Sequence, residues 1–596
     1  MPRASSLVFV LLAACGASAP RPTTGAPAWR EASVASFEEA AHEDRIVVLS
    51  IQADWCHWCH VMNATTYADA DVLALLRDHF VVVRAEADAR PDLAERYTNY
   101  GWPATIFFAP DGREILRLRG HRNPQAFRAI LTALVDDQRA GRELGSTLEG
   151  HVTDAPREAA LGDLDEARVR VRMQVDALYD DAQDGWGTEQ KYPFGALVQH
   201  ALLRASDLDE GPWHDRGMRS LSRYAELIDP VWGGMYQYSD GDWSHPHFEK
   251  IASIQAGAIQ AFADAYAVTQ DDVWLDHADH VVSYLTQWLR TADATFQASQ
   301  DADLRVEGRD PMPGATYYAQ GDEARRALGI PRIDPHVYAS VNGELAAALA
   351  RLSEVRDDAD ADELALATEA IDAITRTHRD ERGLFRHDAA SEDATRYLAD
   401  QAQVLRALVA IHQAGGDSST LASAIALADA TLAAFRSESG ALRASDASDA
   451  SPLAASTFPI EENALVARSL LALARLEDRE DRRETALAIL EAISVPSAVA
   501  ELGRKVGEYA IALELAQLGM VSFTVVGPPH DPRTLDLARA VRAYPEPRRV
   551  LVMQPGEGHY PLMDEPVLFV CGEETCSEPI RHEDDTHAAI DRFFGR

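Results

Sequence analysis

The stretch SIQADWCHWCHVM (residues 50–62) contains two cysteines, two histidines and two tryptophans. Cys56 and Cys59 form a C-x-x-C motif that follows an apolar, strand-like segment and precedes a helical one. This order predicts Cys56 at a helix N-terminus, where backbone N–H groups and the helix dipole stabilise a thiolate. Cys56 is therefore the predicted nucleophile and Cys59 the resolving thiol. His57, as a cation, would favour the thiolate further, and Trp55 would shield one side of the disulfide.

A second feature supports a redox site. Pro103 lies in YGWPATIFFAPDG, after Trp102 and directly before a strand-like segment. Redox sites of this kind need a cis-proline opposite the disulfide, and a cis X–Pro bond suits such a tight turn. The backbone at Pro103 is predicted to pair with a substrate peptide, with Trp102 and His60 as supporting residues.

Two alternatives compete with the redox interpretation. Cys56, His57, Cys59 and His60 could be zinc ligands, but residues on one helical turn cannot all converge on a tetrahedral ion. We therefore predict no metal, and we expect no cofactor. In the second alternative the C-x-x-C is a static, structural disulfide in a non-catalytic scaffold, which predicts a buried Cys56.

The segments around the motif alternate between strand and helix character over residues 31–145. Apolar runs and helical spacing predict, in order, a strand, a helix, a strand, a helix, a hairpin and a closing helix. These segments are 45–51, 69–80, 81–87, 91–100, the hairpin on either side of Asp111–Gly112, and 123–138. This is the order of a thioredoxin fold.

Residues 160–520 have a different, all-helical character. Twelve amphipathic segments suggest six helical hairpins, arranged as a closed α/α toroid with a pocket at one rim. The predicted helices are 163–182, 194–206, 214–229, 251–268, 272–290, 341–355, 360–377, 395–414, 419–436, 461–476, 480–493 and 502–518. The glycine- and aromatic-rich loops 232–250 and 295–320 are the clearest candidates for the rim. Residues 521–596 return to α/β character as a small C-terminal segment.

The first residues, MPRASSLVFVLLAACGASAP, have the layout of a secretory signal. The LAAC sequence resembles a bacterial lipobox, in which Cys15 would be lipidated. We therefore expect a lipoprotein-type signal peptide at 1–15 and a flexible tether at 16–30. This predicts an exported lipoprotein at the periplasmic face, in contact with the membrane only through the lipid at Cys15.

The charge and the rare residue types narrow the function further. A net charge of −39 argues against nucleic acid as a partner.

Cys571 and Cys576 form a C-x4-C for which a local disulfide is the default interpretation. Lysine is scarce, so Lys191 and Lys250 stand out as positions that need an ammonium, in a pocket or in a buried ion pair.

The chain resembles the family of spermatogenesis-associated protein 20 and its bacterial relatives, in which a thioredoxin-like domain is fused to a six-hairpin α/α barrel. The motifs are CHWCHVM at 56–62, GWP at 101–103, PHFEK at 246–250, DAD at 301–303 and the spacing VC...TC at 570–576. The resemblance implies a barrel similar to sugar epimerases and glycosidases. The candidates for its pocket are His247, Glu249, Lys250, Asp301, Asp303, Glu307 and Lys191.

These observations favour a thiol–disulfide oxidoreductase whose client is a protein thiol or disulfide. The toroid would bind a ligand or client, for which a carbohydrate is one candidate. One alternative is a carbohydrate-active enzyme of the epimerase or glycosidase type with an accessory thioredoxin-like domain. The structural-disulfide scaffold is the other.

Overall fold

The computed structural model describes residues 25–97, 101–152, 158–208, 211–356, 362–447, 453, 457–573, 575–582 and 585–596. The predicted signal segment 1–15 with Cys15, and the predicted tether as far as residue 24, lie outside the described residues.

The described residues between 25 and 152 form an α/β domain around one mixed sheet. Its strands are β1 (Arg30–Glu31), β2 (Ile46–Gln52), β3 (Phe80–Glu86), β4 (Ala104–Phe108) and β5 (Glu114–Arg119). The strand order is β1-β3-β2-β4-β5, with β2 parallel to β3 and antiparallel to β4. Every residue of β2 is buried, as an apolar strand at the centre of a two-sided sheet must be.

Helices cover both faces of this sheet. They are α1 (Val34–Glu43), α2 (His57–Thr65), α3 (Ala70–His79), α4 (Pro91–Tyr97) and α5 (Pro124–Ala140). Apolar side chains of α1 and α4 pack in one cluster with Cys56 and Cys59, whereas α3 and α5 pack on the opposite face. The predicted thioredoxin fold is confirmed.

The central part of the chain is a ring of helical hairpins. Its outer helices are α6 (Leu164–Leu178), α8 (Gly211–Ala225), α10 (Val273–Tyr284), α14 (Glu363–His378), α16 (Ser418–Phe435) and α18 (Glu480–Ile493). Its inner helices are α7 (Gly195–Leu208), α9 (Ala252–Thr269), α13 (Ala339–Val355), α15 (Leu398–Ala414), α17 (Ile460–Glu477) and α20 (Gly507–Leu518). Each inner helix contacts the next, and α20 returns to α7, so the ring closes. The predicted all-α toroid is confirmed.

Small residues allow the inner helices to pack closely. The inner helices α9 and α13 are rich in buried alanines, which fill little space between neighbouring helix backbones. A Cβ atom at Gly343 of α13 would lie 2.6 Å from the backbone carbonyl carbon of Gln403 in α15, so only glycine fits there. The ring therefore holds its loops, and the side chains on them, in fixed positions.

A small C-terminal α/β unit packs against the toroid. Its elements are β10 (Val521–Val526), α21 (Pro532–Ala543), β11 (Arg549–Gln554), β12 (Val567–Cys571) and α22 (Thr586–Phe594). Arg549 forms an ion pair with Glu354 of the toroid at 2.6 Å, and the Gln413 side chain hydrogen-bonds the backbone of Leu551. The structure pairs Cys571, the last residue of β12, with Cys576 as a disulfide.

The predicted helices differ from the structure mainly at loops and breaks. The loop predicted at 295–320 contains α11 (Gly314–Tyr318) and is followed by α12 (Asp322–Leu328). The helix predicted at 502–518 begins as a 3₁₀ turn (Gly503–Val506) and continues as α20, and a separate helix α19 (Pro496–Leu502) precedes it. Gly503 has a φ of +55°, outside the helical region, which explains the break. Two short antiparallel strand pairs connect the rim loops. They are β6 (Gln190–Lys191) with β7 (Ser239–Asp240), and β8 (Lys250–Ile251) with β9 (Ser299–Gln300).

Candidate redox site

The Cys56–Cys59 pair is a disulfide at the N-terminus of α2. Strand β2 ends four residues before Cys56, and Cys56 is the N-cap of α2, where its Sγ accepts a hydrogen bond from the backbone N–H of Cys59 at 3.0 Å. Helix N-caps commonly accept such bonds because the first N–H groups of a helix lack backbone partners. Any thiolate formed at Cys56 would receive the same donor.

The predicted supporting residues lie around this disulfide. The Trp102–Pro103 peptide bond is cis, and Pro103 is buried directly before β4. The indole N–H of Trp55 donates to the carboxylate of Asp88 at 2.8 Å, which fixes the ring beside the disulfide. The structure therefore brings the predicted redox residues of the thioredoxin domain together.

Three of the predicted barrel-pocket residues lie against the redox helix. The Nδ1 atom of His57 lies 2.8 Å from the Asp303 carboxylate, and Nε2 of His60 lies 3.2 Å from the Asp301 carboxylate. The backbone N–H of His57 donates to Oε1 of Glu249 at 3.3 Å. These acids were predicted to line a ligand pocket of the toroid. The structure instead makes them the toroid's contact with the C-x-x-C helix.

The acids determine the charge near Cys56. The hydrogen bond that the His57 Nδ1–H donates to Asp303 raises the pKa of His57 above its ordinary value, since it outweighs the cost of burying the cation. Burial raises the pKa of Glu249 to about 7, although the His57 N–H and imidazole act in the opposite direction. That a cationic His57 favours a thiolate at Cys56 stays a prediction, and the direction of the His57 pKa agrees with it.

The remaining predicted pocket residues do not join this site. Lys250 donates to Asp229 at 2.8 Å and Lys191 to Asp180 at 2.9 Å, so both lysines are in buried ion pairs. His247 is half-buried and stacks on Tyr238, with ring centroids 3.9 Å apart. Glu307 is exposed. The buried ion pair, which was the alternative interpretation of the lysines, is what the structure has.

The metal alternative has no geometric support in the described residues. Cys56 and Cys59 are bonded to each other, and His57 and His60 each pair with a separate carboxylate. Across the ranges that the structure describes, no three His, Cys, Asp or Glu side chains are grouped so that they could hold a metal ion.

Sequence reasoning missed a polar cluster between the two domains. His387 contacts Asp400 through Nδ1 at 2.9 Å and the backbone carbonyl of Asp88 through Nε2 at 2.6 Å. Burial disfavours the cationic imidazole, but Asp400 and Asp88 outweigh it and raise the pKa of His387. Asp88 also holds Trp55, so this cluster ties the toroid to the residue before Cys56. No spacing in the sequence could have revealed it, because Asp88 and His387 are 299 residues apart.

It also missed a carboxyl cluster at the axis of the toroid. Glu344 on α13 and Glu461 and Glu462 on α17 are joined there by Glu95 from α4 of the thioredoxin domain. Burial raises the pKa of Glu344 to about 7. Burial and, after it, repulsion by Glu95 together raise the pKa of Glu461 to about 8. These side chains are half-buried and face one another across different helices. The sequence contains no signal for them except the acidic pair in PIEEN at 459–463.

Fold and site together define a class of protein: a thioredoxin-like domain with a C-x-x-C disulfide, docked on a closed toroid of six helical hairpins. Residues 23–136 match the family model Thioredox_DsbH, described as a protein of unknown function, DUF255.

The chain is homologous over half its length to spermatogenesis-associated protein 20. Over 326 residues it is 25% identical to the Mus musculus protein and 26% identical to the Homo sapiens protein. The match covers 50% of this chain and 41% of the mouse protein, so it spans well under half of that relative. Over 113 residues the chain is also 36% identical to thiol:disulfide interchange protein DsbD of Ralstonia nicotianae, covering 17% of this chain and 18% of that protein.

Two solved structures resemble the central part of the fold. Cellobiose 2-epimerase from Bacillus thermoamylovorans is 12% identical with a TM-score of 0.43, covering 55% of this chain and 85% of that one. A D-mannose isomerase is 10% identical with a TM-score of 0.46, covering 61% of this chain and 100% of that one.

Proposed function

We propose that this protein is a thiol–disulfide oxidoreductase that acts on a protein client, on an exported chain anchored through a lipid at Cys15. The observation that carries the proposal is the disulfide at the N-cap of α2, next to a His57 whose cationic form is held by Asp303. The similarity of the N-terminal domain to a thiol:disulfide interchange protein supports the same reaction.

The proposed reaction has two exchanges. A client thiolate attacks Sγ of Cys56, the Cys56–Cys59 bond breaks, and Cys59 leaves as a thiolate that takes up a proton. The second client thiolate then attacks the client sulfur that is bonded to Cys56. This closes the client disulfide and releases Cys56 as a thiolate, which the α2 N-terminus and His57 stabilise. The client is oxidised by two electrons and the enzyme is reduced by two, and the reverse sequence reduces a client disulfide.

The toroid is a built-in part of this proposed site. It supplies Glu249, Asp301 and Asp303, and its residue Ile251 packs in the same apolar cluster as the disulfide. Cys56 is consequently only 4% exposed. A buried Cys56 is also what the structural-disulfide alternative predicts, so the experiment must distinguish a covered redox couple from an inert one.

The test is equilibration of the full-length protein in glutathione redox buffers, followed by alkylation and mass analysis of Cys56 and Cys59. A redox enzyme is expected to show one two-electron transition in which Cys56 alkylates first near neutral pH. A potential of about −120 to −180 mV would assign disulfide formation, and one near about −270 mV disulfide reduction. A pair that stays oxidised in every buffer would establish the structural disulfide instead.

The carboxyl cluster at the toroid axis favours a second candidate function, binding and acid–base chemistry on a carbohydrate-like ligand. Carboxyls kept protonated near neutral pH can donate protons, and paired carboxylates perform such chemistry on sugars. We expect neutral disaccharides to bind the full-length protein in calorimetry, and Glu461→Gln to weaken that binding about tenfold, the loss of one hydrogen bond from the carboxyl group. An exposed acid, Glu307→Gln, is the matched control. Equal binding by wild type and Glu461→Gln, or none by either, would remove this candidate.

A further inference from the structure

Glu249 is the toroid residue that accepts a backbone N–H from the first turn of the redox helix. Only 4% of its surface is exposed, and Oε1 accepts the N–H of His57, the residue after Cys56. The other oxygen, Oε2, is buried and has no hydrogen-bond partner among the described residues. A buried carboxylate with one free oxygen is costly to keep charged, so it is poised to take up a proton.

Glu249 also shares the α2 N-terminus with Cys56. The helix dipole and the first N–H groups stabilise one negative charge there, whereas two adjacent negative charges repel each other. A thiolate at Cys56 therefore makes the charged form of Glu249 less favourable. Reduction of the disulfide creates that thiolate, and oxidation removes it.

Other ionisable groups surround this carboxyl. It faces His57 of the thioredoxin domain and Asp301, Tyr192 and Tyr238 of the toroid. Three more toroid groups, Asp303, Arg305 and His247, act on His57 beside it. Asp303 pairs with the His57 imidazole and Asp301 with the His60 imidazole. Glu249 has no such side-chain pairing among the described residues.

The polar side chains that join β2 to α2 within the thioredoxin domain carry no charge. Gln52 hydrogen-bonds Ser50 and the half-buried Asn63 of α2. Glu86, next to the loop before Cys56, has its pKa raised to about 9 by burial and Asp88, so it is already protonated near neutral pH in the oxidised protein. Neither set can gain a proton on reduction at pH 7 to 8.

We propose that Glu249, supplied by the toroid, is the proton acceptor of the redox site and takes up a proton when the Cys56–Cys59 disulfide is reduced. The inference rests on the proposed oxidoreductase function. A client dithiol, the disulfide and the Glu249 carboxylate give a client disulfide, a Cys59 thiol, a Cys56 thiolate and a protonated Glu249. Two protons and two electrons leave the client: the electrons reduce the disulfide, and the protons go to Cys59 and Glu249. The complete site thus includes residues of both domains.

The equilibrium constant for reduction of the full-length protein by glutathione, measured from pH 5.5 to 8, tests this inference. Two glutathione thiols release two protons. Below about pH 7, where Glu249 is already protonated, only Cys59 takes one up, so the constant should rise about tenfold per pH unit. Above about pH 7 both Cys59 and Glu249 take up protons, so the constant should level off. This change of slope near pH 7 is the break that the test looks for. In Glu249→Gln the break should be lost, and the equilibrium constant should rise about tenfold per pH unit throughout.

Two variants and one spectrum make the outcome decisive. Glu307→Gln, an exposed acid on the same side of the toroid, should keep the break. A break that survives in Glu249→Gln but disappears in Asp88→Asn would overturn the assignment and transfer the role to Asp88. Reduced-minus-oxidised infrared spectra of the wild type at pH 8 should show a new protonated-carboxyl band, and its absence would also overturn the inference. Failure to exchange with glutathione at all would contradict the proposed function instead.

Discussion

Cys56→Ser is expected to abolish thiol–disulfide exchange by the full-length protein. A serine hydroxyl at the N-cap of α2 can accept the Cys59 N–H as the sulfur does, so the helix should remain capped. It cannot form a disulfide, so Cys59 loses its bonding partner. Loss of a covalent nucleophile lowers rates by roughly 10⁴-fold or more. The measurement is the rate of glutathione-dependent oxidation of a dithiol peptide.

Two companion variants show whether the loss is specific. In Cys59→Ser the Cys56 thiolate should still attack a disulfide-bonded peptide and displace one peptide thiolate. Without Cys59 the enzyme cannot resolve the resulting mixed disulfide, which should accumulate and be visible by mass. The double variant Cys571→Ser/Cys576→Ser removes the other disulfide of the described residues and should keep the wild-type rate. If Cys56→Ser exchanges at the wild-type rate, or the C-terminal variant loses it, the redox centre is at Cys571 and Cys576.

The parts of the site that are local in sequence were predictable. A buried apolar strand, a C-x-x-C and a helical segment follow one another without a break, so the position of Cys56 at the start of α2 follows from periodicity alone. The cis bond at Pro103 was also expected from its position directly before β4. The toroid followed similarly, because each of its hairpins is a local amphipathic pattern.

The contacts between the domains were not predictable. His57 and Glu249 are 192 residues apart, and His57 and Asp303 are 246 apart, and no periodicity links such positions. The sequence did mark Glu249, Asp301 and Asp303 as unusual, through their motifs, but assigned them to a ligand pocket. What decides their role is the docking of α2 on the toroid rim, which depends on the surfaces of both folded domains.

The scarce lysines also show that a sequence can mark a constrained position without revealing its contacts. Their rarity indicated that Lys250 occupies a constrained position, and the structure explains why. Lys250 donates to Asp229 at 2.8 Å and to the Gly233 carbonyl at 2.7 Å, fully buried. Arg325 from α12 contacts the same carboxylate at 2.7 and 3.1 Å. Since α12 lies in a segment without a clear helical signal, the second cation could not be foreseen.

Asp229→Asn is therefore expected to be severely destabilising. Asp229 is 1% exposed and neutralises two buried cations, so its loss leaves Lys250 and Arg325 uncompensated. Breaking a buried charge network by removing one partner costs about 3–5 kcal/mol in the free energy of unfolding. The measurement is urea unfolding of the full-length protein at pH 7, monitored by tryptophan fluorescence. The exposed Asp293→Asn is the matched control and should leave the midpoint unchanged.

The difference in the free energy of unfolding between wild type and Asp229→Asn should depend on pH because of the same contacts. Burial disfavours the Asp229 carboxylate, but Lys250 and Arg325 outweigh burial and lower its pKa. A lowered folded-state pKa contributes stability that is fully present above the unfolded-state value, about 3.9, and is lost as pH falls through the folded-state value. The gap between wild type and Asp229→Asn should thus be full at pH 7 and narrow only below about pH 4. A gap that is absent at pH 7, or that widens in acid, would mean that Asp229 does not hold these cations.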